Sequence, residues 1–110
     1  MKEVLAIIRQ QKAKAVKDAL ASIGFSSLHV IEVEGRGKQR GLKYRGSDTG
    51  MRYLPKKMLS LITEDQDVSR VLHAIIKNSR TGEIGDGKIF VCPVEDVIRV
   101  RTGERGREAI

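Results

Sequence analysis

The chain contains no tryptophan, and its four aromatic side chains, Phe25, Tyr44, Tyr53 and Phe90, make up 4% of 110 residues. So sparse a set argues against a surface built to stack bases. One cysteine, Cys92, excludes an intrachain disulfide, and with only His29 and His73 beside it no Cys/His zinc cluster can form. Cys92 reads as a small inert hydrophobe; the two histidines are unpaired in sequence, and His73, on the second helix, reads as a surface residue. No window approaches the roughly 18 apolar residues of a membrane span. Met1-Lys2-Glu3 runs straight into an apolar stretch lacking the length and cleavage site of a signal peptide. The expectation is a cytoplasmic protein without direct membrane insertion. The glycine fingerprints GxxxxGK[ST] and GxGxxG between strand and helix are both missing. No Ser/His/Asp or Cys/His set suggests catalysis, so the chain is not expected to be an enzyme.

What is present is an ordinary globular balance, 40% apolar and 32% charged, over a length that suits one domain spanning residues 1–110. The net charge of +7 attracts nucleic acid, anionic membrane or phosphorylated small molecules, and composition does not choose among them. Val4 to Ile8 reads as a central strand buried on both faces. Val16, Leu20 and Ile23 recur at helical spacing from Lys12, and Gly24 ends that helix. Leu28 to Val33 forms a second strand. Residues 35–55 show only glycine, charge and small polar side chains, a loop long enough to be functional. Met58 to Ile62 gives a third strand. Thr63 or Asp65 is placed to cap a helix built on Val68, Val71, Leu72, Ile75 and Ile76, ended by Gly82. Ile89 to Val91 gives a fourth strand and Val97 to Arg101 a short fifth. The order is that of an α+β ferredoxin-like β-α-β-β-α-β sandwich with a long loop between strands two and three. Its two helices would cover one face of the sheet, and the other face is expected to be buried by oligomerisation. The polar tail, residues 103–110, reads as mobile.

Two segments carry glycine among cations: Gly35-Arg36-Gly37-Lys38-Gln39-Arg40-Gly41, and Thr81-Gly82-Glu83-Ile84-Gly85-Asp86-Gly87-Lys88. Such spacing lets backbone N–H groups converge on an anion while Lys and Arg add charge-assisted bonds. Either alone is more often a flexible turn. Arg99 and Arg101, two apart on the expected fifth strand, would project together from one face, though a solvated strand face has the same pattern. Lys38, Lys88, Arg99 and Arg101 on one triphosphate would contribute roughly 6 to 12 kcal/mol, against about 8 for micromolar binding.

Residues 81–91, Thr-Gly-Glu-Ile-Gly-Asp-Gly-Lys-Ile-Phe-Val, and residues 98–104, Ile-Arg-Val-Arg-Thr-Gly-Glu, resemble the two signature stretches of the PII nitrogen-regulatory family. The likeness extends through Ile7-Ile8, helix one, Val33 to Gly41 and Leu54-Pro55-Lys56. The segments Gly-Arg-Gly-Lys-Gln-Arg-Gly-Leu and Leu-Pro-Lys-Lys-Met-Leu look most like the nitrogenase-associated, NifI-type subclass. The resemblance implies a homotrimer that binds ATP or ADP in a cleft between neighbouring subunits. Ile7, Gly35, Gly37, Lys38, Ile62, Gly85, Asp86, Gly87, Lys88, Arg99 and Arg101 would line the nucleotide, and Ser27, Leu28 and His29 would come from the neighbour. Gln39 would hold Mg2+. With Mg-ATP bound, 2-oxoglutarate would meet Gln39, Arg40, Gly41, Lys56 and Gly85. Residues 36–56 would be the T-loop, reaching a target (nitrogenase, an ammonium channel or glutamine synthetase) through Tyr44, Arg45, Gly46, Ser47, Asp48, Thr49 and Arg52. Ligand occupancy would select among conformers of that loop, which makes the protein an allosteric regulator.

The sequence departs from the family pattern in places. Lys38 stands where many members have Arg, which removes a bidentate fork. The loop is shorter than in enteric members, with Thr49 where their modified tyrosine would be, so uridylylation does not carry over. Ser47 matches a position phosphorylated in some cyanobacterial members, and a plain solvated serine is the preferred reading. Two rival functions share this architecture. An RNA-recognition module needs ring-bearing residues on its central strands, which Phe90 nearly alone does not supply, so no nucleic-acid partner is expected. An acylphosphatase-like or weak ATPase activity would need a general base, and the sequence shows none.

Overall fold

The structure, a computed structural model, describes residues 1–35 and 54–110. Lys2–Arg9 forms β1, and its burial alternates with the period of a strand: Val4, Ala6 and Ile8 are buried, Leu5 and Ile7 only partly so. The expected burial on both faces is therefore not met within one chain, because helices cover one side only.

A short 3-10 turn, Gln10–Lys12, leads into α1, Ala13–Ser22, which turns Ala13, Val16 and Leu20 inward. Its end is a Schellman motif: the Phe25 N–H donates to the Leu20 carbonyl at 2.8 Å and the Gly24 N–H to that of Ala21 at 3.0 Å. Gly24 sits at φ +98°, where a β-carbon costs about 1–2 kcal/mol. Phe25 then folds back onto the core, under the Arg70 guanidinium at 5.4 Å from its ring centre.

His29–Gly35 forms β2, Leu54–Thr63 forms β3, Val68–Ser79 forms α2 and Gly87–Pro93 forms β4. The sheet order is β2-β3-β1-β4, and every neighbouring pair is antiparallel. This is the ferredoxin-like arrangement, in which each helix returns the chain past one intervening strand. Val71 and Ile75 of α2 meet Val16 and Leu20 of α1 and Val4, Ile8, Leu59 and Leu61 of the sheet in one core. Register places Ile31, Met58, Ile7 and Lys88 in one row on the opposite face, and Leu5 beside Phe90. There Ile31 is 49% exposed and Phe90 46%, so the face that the sequence left in need of a cover has none among the described residues.

Five expectations are corrected. Val97 to Arg101 forms no strand: Ile98 makes one isolated bridge to Arg105, and the Gly103 N–H donates to the Arg99 carbonyl at 2.7 Å, so the segment reverses and bonds to itself. Thr63 and Asp65 cap nothing. Thr63 is buried in β3, while Asp65 pairs with the Met1 ammonium at 3.0 Å and Lys2 at 3.2 Å. The second helix stops at Ser79, before Gly82, where Arg80 turns extended. The tail folds back into a 3-10 turn, Gly106–Ala109, with Arg107 on Glu64 at 2.5 Å and Arg105 on Asp96. Leu54, Pro55 and Lys56, assigned to the loop, belong to β3.

Candidate functional site

At one end of the sheet, the strands bring together residues distant in sequence. Arg9, the last residue of β1, lies opposite Lys56 of β3, Lys56 lies opposite Val33 of β2, and Lys88 of β4 lies opposite Ile7. Gly35 closes β2 two positions beyond Val33. Two cations on adjacent strands repel unless something anionic or dipolar stands between them. The turn from α2 to β4, residues 80–86, supplies it.

Arg9 donates from Nε to the Asp86 carboxylate at 3.1 Å and from Nη2 to the Ile84 carbonyl at 2.9 Å. The Lys56 ammonium donates to the Gly85 carbonyl. Lys56 is 6% exposed, and burial, reinforced by the nearby Arg9 charge, lowers its pKa, with Asp86 opposing the shift. Asp86 also accepts from the Thr81 hydroxyl, the Thr81 N–H at 2.9 Å and the Gly82 N–H at 2.8 Å. Those bonds, the Thr81 hydroxyl first among them, hold its carboxyl well below the usual carboxylate range against some desolvation. Gly87 presses on β1 so closely that a β-carbon would lie 1.7 Å from the Ile7 carbonyl oxygen. Beside the turn, a cleft of about 300 Å³ opens between Ile76, Arg80, Asp86 and Lys88.

Ile7, Gly35, Lys56, Gly85, Asp86, Gly87 and Lys88 thus share one end of the sheet. The remaining described residues of the expected site do not join them. His29 lies opposite Ser60 and Ile62 opposite Glu3, six positions along β3 from Lys56, or about 20 Å at 3.3 Å per residue. Ser27 and Leu28 precede β2 at that far end. β4 leaves the sheet there too, with the Val94 N–H bonded to the Met1 carbonyl, and carries Arg99 and Arg101 with it. The expected Arg99–Arg101 pair on one strand face is not formed. Arg99 instead binds the Glu104 carboxylate at 3.2 Å and the Glu108 carbonyl at 3.0 Å, and Arg101 is exposed in the turn. Gly37, Lys38, Gln39, Arg40, Gly41, Tyr44, Arg45, Gly46, Ser47, Asp48, Thr49 and Arg52 lie outside the described residues.

Sequence reasoning missed Arg9. Its only signal was a cation closing an otherwise apolar strand, and its partners lie 75 and 77 residues away. Among the described residues no group of three His, Cys, Asp or Glu gathers as a metal cage. No described helix is long and apolar enough to cross a membrane.

Residues 1–104 match the family described as Nitrogen regulatory protein P-II. The chain is 48% identical to "Nitrogen fixation nifHD region GlnB-like protein 2" of Methanothermobacter marburgensis, with both proteins covered in full. It is also 48% identical to "Nitrogen regulatory protein P-II 1" of Methanothermobacter thermautotrophicus, covering 100% of this chain and 97% of that one. Among solved structures, Arabidopsis thaliana PII bound to citrate superposes with a TM-score of 0.83 at 40% identity, over 99% of this chain and 91% of the other.

Proposed function

The chain belongs to the nitrogen regulatory protein P-II family, and on that footing we propose that it is a cytoplasmic sensor of adenine nucleotide and 2-oxoglutarate that acts by contact with a target protein, without catalysis of its own. The observation that carries this reading is the split of the site. One end of the sheet gathers Ile7, Gly35, Lys56, Gly85, Gly87 and Lys88, and toward the other lie Ser27, Leu28, His29, Ile62 and the segment after β4 that carries Arg99 and Arg101. Two chains set end to end would complete a cleft that one chain leaves half built, and the uncovered apolar sheet face supplies the surface on which a homotrimer would close.

In this reading the turn and Lys88 hold the phosphates of ATP or ADP, joined by Gly37 and Lys38. Gln39 would hold Mg2+, which would offset the negative charge of the phosphates and the oxoacid. Lys56 receives the distal carboxylate of 2-oxoglutarate, whose other oxygens meet the backbone from Gln39 to Gly41. That the Arabidopsis thaliana relative is described with citrate, another polycarboxylate, fits this assignment. Residues Tyr44 to Thr49 and Arg52 then present the output. Relatives named for the nifHD region point to nitrogenase as the target, ahead of an ammonium channel or glutamine synthetase.

Calorimetry tests the reading. ATP is expected to bind in the micromolar range and 2-oxoglutarate only once Mg-ATP is present. Arg101→Ala is expected to lower ATP affinity at least tenfold, the loss of about one charge-assisted hydrogen bond. A chain that ignores ATP and ADP with magnesium present is incompatible with the proposal.

A further inference from the structure

We infer that Asp86 is a positioning residue of the anion-binding turn, holding residues 80–88 from behind instead of facing the phosphates. The inference rests on the nucleotide reading and adds to it a role for a carboxylate that stands, otherwise unexplained, in a site built for polyanions.

Both Asp86 oxygens are occupied: Oδ2 accepts from the Thr81 and Gly82 N–H groups, and Oδ1 from the Thr81 hydroxyl and Arg9 Nε. The carboxylate therefore closes the turn on itself and moors it to the end of β1. Arg9 completes the mooring through the Ile84 carbonyl, and Lys56 through the Gly85 carbonyl. These two carbonyls settle the orientation of the peptide groups between them. In a trans peptide the C=O and the following N–H point to opposite sides. With the Ile84 and Gly85 oxygens drawn to Arg9 and Lys56, the N–H groups of Gly85 and Asp86 face away from both cations. Consecutive N–H groups turned to one side form an anion-binding concavity, and their direction depends on Arg9 staying where Asp86 holds it.

The sign of one substitution separates this role from its rival. Were Asp86 beside the phosphates, Asp86→Asn would relieve repulsion and tighten ATP binding. As a positioning residue, it loosens the turn when neutralised, and affinity falls although a negative charge has been removed. The expected result is at least a tenfold weaker ATP affinity for Asp86→Asn in the full chain. A smaller loss is expected for Thr81→Val, which keeps the shape and removes one donor. Hydrogen exchange of amides 81–86, measured without nucleotide, is expected to quicken at least tenfold in Asp86→Asn while β1 and β3 stay protected. Unchanged exchange in the turn, or ATP affinity equal to or above that of the wild type, overturns the inference. A wild type that binds no nucleotide would sink the nucleotide reading alone, and the exchange arm would still decide whether Asp86 holds the turn.

Discussion

Gly87→Ala is expected to destabilise the fold by roughly 3 kcal/mol and to remove nucleotide binding with it. The new methyl carbon would lie 1.7 Å from the Ile7 carbonyl oxygen, a backbone atom that cannot swing aside as a side chain could. Overpacking of this kind costs about 1–3 kcal/mol. The residue also holds φ +101°, which adds about 1–2 kcal/mol for any residue with a β-carbon. The strand cannot retreat cheaply, because Gly87 opens β4 and pairs with Ile8, whose side chain is 1% exposed in the core. In a domain of this size the loss lowers the melting temperature by more than about 10 °C. Thermal unfolding followed by circular dichroism reads it directly, and a shift under about 3 °C would show that the contact relaxes freely.

Lys56→Met is expected to separate binding from stability. The substitution keeps length and apolar stem, removes the ammonium, and so should weaken 2-oxoglutarate binding about 10- to 150-fold, the worth of one hydrogen bond to a charged group. Two effects on stability oppose each other. The Gly85 carbonyl loses its donor, and the chain is relieved of a buried charge. The pH dependence separates them. Because folding lowers the Lys56 pKa, the wild type bears its penalty fully while Lys56 is charged in both states, below the folded pKa. That penalty fades as pH rises toward the ordinary lysine value of about 10.4, so the wild type gains on the variant between neutral and alkaline pH. Melting curves at pH 7 and pH 10 check the slope, and calorimetry checks the affinity. An oxoacid response that survives Lys56→Met would remove this residue from the ligand.

The elements legible in the sequence were those whose burial is decided within the chain. Val4, Ala6 and Ile8 alternate because one face of β1 meets helices, and Val16 with Leu20, or Val71 with Ile75, recur because a helix has one inner stripe. Gly24 marked the end of α1 through its backbone conformation alone. Val97 to Arg101 misled because β-branched alternation describes a strand that needs a partner, and among the described residues this segment has only a bridge from Ile98 to Arg105. Asp65 misled as a cap because the Met1 ammonium and Lys2 take its carboxylate first. The turn itself was legible, as the glycine and cation spacing of Gly85, Gly87 and Lys88. The Arg9 contribution was not, since nothing local to β1 announces a carboxylate on the turn before β4.

The placement of the two residue sets at opposite ends of β3 has a genetic corollary. In the proposed homotrimer, a chain damaged at Lys88 and another damaged at Arg101 would each fail alone, since every cleft they form would repeat the same defect. Mixed in one such ring, the first chain would lend its sound arginine end to the sound lysine end of the second, and one working cleft would return. Heteroallelic complementation, absent for two lesions at the same end, is what the proposed cleft predicts from the distance between Lys56 and Ile62.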